Sequence, residues 1–174
     1  MKFLFGVVAG LLILPAFAYF YLRLGYAPVA TGAPPLPLEK TITGMALNAR
    51  VAKEAPTQVP VPATEPNLMA GAKSYRRYCS ECHGLSGEPP SAAAKGMFPK
   101  PPQLFDGKGV TDDPVGETYW KVSNGIRLTG MPAFLGSLTD EQLWQVSQLL
   151  ANAKKLPSGV GDFMASPPPA PIAP

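Results

Sequence analysis

A chain of 174 residues with 22 prolines and a formal net charge of +3 leaves room for one modest domain with extended flanks. Its Lys and Arg residues are dispersed and form no basic stripe, which argues against nucleic acid as a partner. A core of about 90 residues is marginal on apolar burial alone, so a hydrophobic cofactor at its centre would supply what the side chains lack.

Met1-Lys2 precedes an apolar run from Phe3 to Leu22, interrupted only by Gly6, Gly10 and Pro15. About 20 such residues suffice to cross a bilayer as a helix. Ala16-Phe17-Ala18 has the small-x-small form of a signal cleavage site, which is the competing reading. Tyr19, Phe20, Tyr21 and Leu22 carry the run past that site, and aromatics there suit a membrane interface. Residues 1–23 are therefore read as a retained membrane anchor.

Residues 24–66 read as a Pro-rich linker. Ala33-Pro34-Pro35-Leu36-Pro37 and Val59-Pro60-Val61-Pro62 favour polyproline II, and a short helix over 43–54 fits between them. The globular domain is expected over 67–156. Asn67 is an N-cap candidate, and Leu68, Ala72, Tyr75 and Cys79 recur at helical spacing, predicting a first helix over 68–79. Gly71 lies on the Tyr75 face; a glycine inside a helix costs about 1 kcal/mol, so a packing reason is expected. Ser86 to Phe105 reads as loop, because Pro89-Pro90 and the prolines of 99–102 forbid long regular structure. Asp113-Pro114 opens a helix over 114–123 that stops at Asn124-Gly125, and its Trp120 reads as lining a cofactor cavity. Thr139 and Gln142 form a capping box for a last helix with Leu143, Val146, Leu149 and Leu150 on one face, closed by Lys154, Lys155 and Pro157. Residues 157–174 read as a disordered Pro-rich tail.

The chemistry concentrates in Tyr78-Cys79-Ser80-Glu81-Cys82-His83-Gly84, which holds both cysteines and the one histidine. Zinc needs four ligands and three such side chains exist. A redox Cys-x-x-Cys belongs beside a βαβ pattern, which is not visible here. A structural disulfide leaves the adjacent His83 unexplained. Two thiols at this spacing can each add to a vinyl group of one haem, and the following histidine then offers a nitrogen to the iron.

This motif, with Gly71-x-x-x-Tyr75 before it, Pro101-Pro102-Gln103-Leu104 after it and Gly125-Ile126-Arg127-Leu128-Thr129-Gly130-Met131-Pro132 further on, resembles the class I c-type cytochromes. The pattern is similar to small monohaem, membrane-anchored members related to the cytochrome c subunits of haem-copper oxidases. The resemblance implies an all-α, cytochrome c-like domain of three to four helices around one covalent haem c. It implies that Gly71 lets the first helix cross the last closely, and that the Pro102 carbonyl accepts the Nδ1–H of His83, fixing its tautomer. It also implies haem attachment outside the cytoplasm, which puts the domain on the periplasmic side.

Six methionines are available for the second axial position. Met1, Met45 and Met164 fall in the expected anchor, linker and tail, and Met69 sits in the first helix before the attachment site. Met97 lies in the Pro-rich loop, where the family's ligand does not occur. Met131, in a Gly-Met-Pro setting between two helices, is the expected ligand. The cofactor-binding set is thus Cys79, Cys82, His83, Met131 and Pro102, with His83 and Met131 on the iron. With both axial positions filled, the expectation is an electron carrier rather than an enzyme, exchanging electrons with membrane donor and acceptor proteins. The rival readings are a haem subunit of a larger membrane oxidoreductase and an enzyme or sensor with an open haem site.

Overall fold

Every regular element among the described residues, 2–105 and 112–166 of the computed structural model, is helical. The chain divides into two units, Met1–Thr43 and Gly44–Pro174.

The first unit contains α1, Lys2–Arg23, 22 residues long, with an 18-residue apolar window of mean hydropathy 2.3, none of it buried in protein. At 1.5 Å per residue it is about 33 Å long, enough for a hydrocarbon core of about 30 Å. It is a candidate membrane span. Pro15 lies inside it and Arg23 complements its C-terminal dipole.

The second unit takes up the C-terminal part of α2 (Glu39–Glu54) and the helices α3 (Glu65–Tyr78), α4 (Ser80–His83), α5 (Ala92–Gly96), α6 (Val115–Asn124), α7 (Asp140–Ala151) and α8 (Ser158–Ala165). Its centre is the crossing of α3 and α7, where Gly71 brings the α3 backbone against Gln145 and Leu149. Leu68, Ala72 and Tyr75 of α3 pack with Leu143, Val146, Leu149 and Leu150 of α7, all buried. Val122 of α6 joins them, and Tyr119 stacks on Trp144 with ring centroids 4.1 Å apart. The Thr139–Gln142 box is formed in both directions: Gln142 N–H donates to Thr139 Oγ1, and Thr139 N–H to Gln142 Oε1.

Three boundaries differ from the sequence reading. The first helix of the domain begins at Glu65, with Thr64 as the cap residue, because Pro66 presets the first turn ahead of Asn67. Asn67 instead donates its side-chain amide to the Pro62 carbonyl at 3.0 Å and accepts from Gln145 Nε2 at 3.2 Å.

The linker ends earlier than residue 66. The helix within it is longer than 43–54, and its Val51 is 1% exposed. From there the chain runs as a strap over the domain. Trp120 Nε1 donates to the Glu54 carboxylate at 3.2 Å, and Gln148 Nε2 donates to the Val61 carbonyl at 2.7 Å. The Pro56 carbonyl lies so close to Gly116 that a β-carbon there would stand 1.8 Å from it. The indole nitrogen of Trp120 is thus engaged by the strap.

The disordered tail does not begin at 157. Ser158–Ala165 is a helix that buries Val160 and Met164 in the main core. Arg76 of α3 holds its end, donating from Nη1 to the Phe163 carbonyl and to Ser166 O at 2.9 Å, with the guanidinium 5.0 Å over the Phe163 ring. Pro157, read as a stop for α7, is also the residue that starts α8. The rest of the expected tail, 167–174, lies outside the described residues.

Candidate haem-binding site

The motif sits where α3 gives way to α4. Cys79 is the last-turn residue of the first helix and the cap of the second: its N–H still donates to Tyr75 O at 2.8 Å, while its own carbonyl accepts from Cys82 N at 3.1 Å and His83 N at 2.9 Å. The three side chains are therefore carried on one turn. Below it, Tyr75 is fully buried and its hydroxyl donates to the Gly84 carbonyl at 2.8 Å, tying the end of the motif to α3. Phe105 packs edge-on against the Tyr75 ring at 4.9 Å.

His83 Nδ1 lies 2.8 Å from the Pro102 carbonyl oxygen. A carbonyl can only accept, so Nδ1 carries the proton and Nε2 is left with its lone pair. Burial holds the His83 pKa below the ordinary value of 6.5, and the bond to Pro102 offsets part of that. The ring is thus a neutral imidazole near neutral pH, the form that binds iron. Cys79 and Cys82 are free thiols. Burial, with the neighbouring Cys82 charge as a smaller cause, pushes Cys79 up to about 12, so its sulfur stays protonated and resists adventitious oxidation.

Met131 is partly buried against the core at the end of a closed loop. Thr129 N–H and Oγ1 both donate to the Ile126 carbonyl, Met131 N–H donates to Thr129 Oγ1 at 3.1 Å, and Ile126 N–H returns to Met131 O at 3.2 Å. The other candidate is close by. Met97 Sδ would stand 3.0 Å from a β-carbon on Gly130, so the two loops that carry the rival methionines touch. Sequence separation gave no sign of this. Nor did it mark the Tyr75–Gly84 bond, which leaves a Tyr signature without naming its acceptor.

The donor set fits a covalently held haem c: two thiols and a neutral imidazole on one turn, with a thioether in a separate, braced loop. The helices form a cytochrome c-like domain. Residues 66–150 match the family described as cytochrome c oxidase, cbb3-type, subunit III. No curated protein matches the chain. Among solved structures, a chain of the reducing HAO-like protein complex of Kuenenia stuttgartiensis is 26% identical with a TM-score of 0.47. That match covers 54% of this chain and 46% of the other.

Proposed function

We propose that this protein carries single electrons on one haem c, held by thioether bonds to Cys79 and Cys82, on the periplasmic side of a membrane in which α1 is the anchor. Haem bound there supplies a one-electron ferric/ferrous couple. The observation that carries the reading is the His83–Pro102 bond within the Cys-x-x-Cys-His turn. It fixes the tautomer that leaves the Nε2 lone pair free for iron and would raise the basicity of the ring. Met131 would hold the iron through its thioether, a soft donor that would favour the ferrous state and hold the potential up. The Tyr75 hydroxyl holds the end of the attachment turn at Gly84, and Phe105 packs edge-on against the Tyr75 ring. The match to an oxidase subunit family supports a place beside, or within, a larger redox assembly.

The test is expression with a c-haem maturation system. Native protein should stain for haem on a denaturing gel, and Cys79→Ala/Cys82→Ala protein should not. Haem stain on the double variant would refute the attachment.

A further inference from the structure

Helix α2 is fastened on one side and bare on the other. Leu47, Val51 and Glu54 share the fastened side: Val51 is buried, and the Glu54 carboxylate accepts from Trp120 Nε1. The opposite side carries Ile42, Met45, Ala49 and Ala52, all exposed, with Ile42 at 61% and Met45 at 68%. Their 3-4-3 spacing is that of successive a and d positions in two heptads. At 3.6 residues per turn the four cover an arc of only about 80°. A helix lying on lipid needs more, a wide face with Trp, Phe or Leu opposed to one rich in Lys and Arg. A seam this narrow fits another helix. The anchor helix carries a second sign. Gly6 and Gly10 lie within α1, and a β-carbon on either would meet nothing within 4 Å. At Gly71 the close crossing with α7 calls for glycine; among the described residues nothing calls for it at Gly6 or Gly10, where it weakens the helix. Glycines at this spacing let two membrane helices approach closely.

We propose that two copies of this chain pair in the membrane, the Ile42–Met45–Ala49–Ala52 seam of one closing on the same seam of the other, with Gly6 and Gly10 where their α1 helices meet. The inference goes beyond electron transfer and rests on α1 being the anchor. Anchoring gives every copy the same orientation and starts α2 after the same stretch, 24–38, which is why a second copy fits the seam. The arrangement is a parallel pair in register, and the edges of the seam accept it. Thr41 faces Ala46 of the second copy and Asn48 faces its Lys53, so no like charges are opposed. Two heptads holding two alanines are too short to keep a dimer in solution. The pair therefore depends on the raised local concentration that a shared membrane provides.

The test uses full-length holoprotein in phosphatidylcholine vesicles, where no other protein is present. With Cys79 and Cys82 bound to haem, the Met45→Cys and Ala52→Cys variants each carry one free thiol. Under mild copper-phenanthroline oxidation both should run as disulfide-linked dimers. Lys40→Cys, on another side of α2, should give at least about five-fold less dimer. Ile42→Glu added to Met45→Cys should lower the dimer fraction at least about five-fold, and Gly6→Leu/Gly10→Leu at least about two-fold, with the haem spectrum of the parent kept throughout. Equal cross-linking of Met45→Cys and Lys40→Cys reports random collision and overturns the pairing. A blue-shifted bimane on the Met45→Cys variant in vesicles holding one copy each overturns it in favour of a lipid surface. Protein found in the soluble fraction overturns the anchor reading and the pairing with it. Membrane-bound protein without the seam-selective dimer overturns the pairing alone.

Discussion

A β-carbon placed on Gly71 would stand 2.3 Å from the carbonyl oxygen of Gln145, closer than any real contact allows. The obstacle is α7 backbone, which cannot rotate away as a side chain could. Gly71→Ala should therefore force α3 and α7 apart. The usual gain of about 1 kcal/mol for alanine over glycine in a helix is outweighed by an overpacking cost of about 2–4 kcal/mol. Denaturant unfolding should show a net loss; a stabilised variant would contradict the close crossing.

Met131→Ala in the holoprotein should abolish the sulfur-to-iron charge-transfer band, lower the potential and allow the ferrous form to bind CO. Met97→Ala should leave all three unchanged. Because Met97 packs on Gly130, one residue from Met131, both variants must be measured side by side. The reverse pattern would move the ligand to Met97.

Alkaline pH should act through Tyr119. Its hydroxyl donates to Asp140, and that bond, then burial, raises its pKa above the ordinary 10.0. Above pH 10 the unfolded chain releases this proton first and so binds fewer protons than the folded one. Stability is full below that pH and falls as pH rises through the folded value. Tyr119→Phe should flatten the fall between pH 10 and higher values in urea titrations, at a cost of about 1 kcal/mol near neutrality.

Gly116→Ala should unfasten the strap before it unfolds the domain. The Pro56 carbonyl has no room for a β-carbon, and the strap carries fewer buried groups than the α3–α7 core. Limited proteolysis should then cut within 55–63, and Trp120 emission should change as the Glu54 bond is lost. Protection equal to that of the parent would count against the strap.

The parts of this fold that were legible in the sequence are those written in side-chain pattern. The Leu143–Leu150 periodicity and the Thr139–Gln142 box mark α7 without ambiguity, and Gly71 announces a close approach. The pairing of His83 with Pro102 is visible only through the resemblance carried by Pro101-Pro102-Gln103-Leu104, since a carbonyl has no residue signature. The strap was hidden for the same reason: Pro56, Val61 and Pro62 are fastened through backbone oxygens. In α8 one apolar pair, Val160 and Met164, is too short a repeat to stand out beside the Pro-rich residues that follow. The contact between the Met97 and Met131 loops is tertiary and leaves no local trace.

Fastening the strap changes how far the domain can travel. With α1 in the bilayer, as proposed, a free linker over 24–66 would allow an excursion of well over 100 Å at about 3.3–3.6 Å per residue. The chain between Arg23 and Glu39, roughly 15 residues, instead extends to about 50 Å, with about 18 Å more from α2 up to Val51. Under that proposal a leash of this length would cap the domain's reach, and partners embedded in the same membrane would meet it at a raised local concentration.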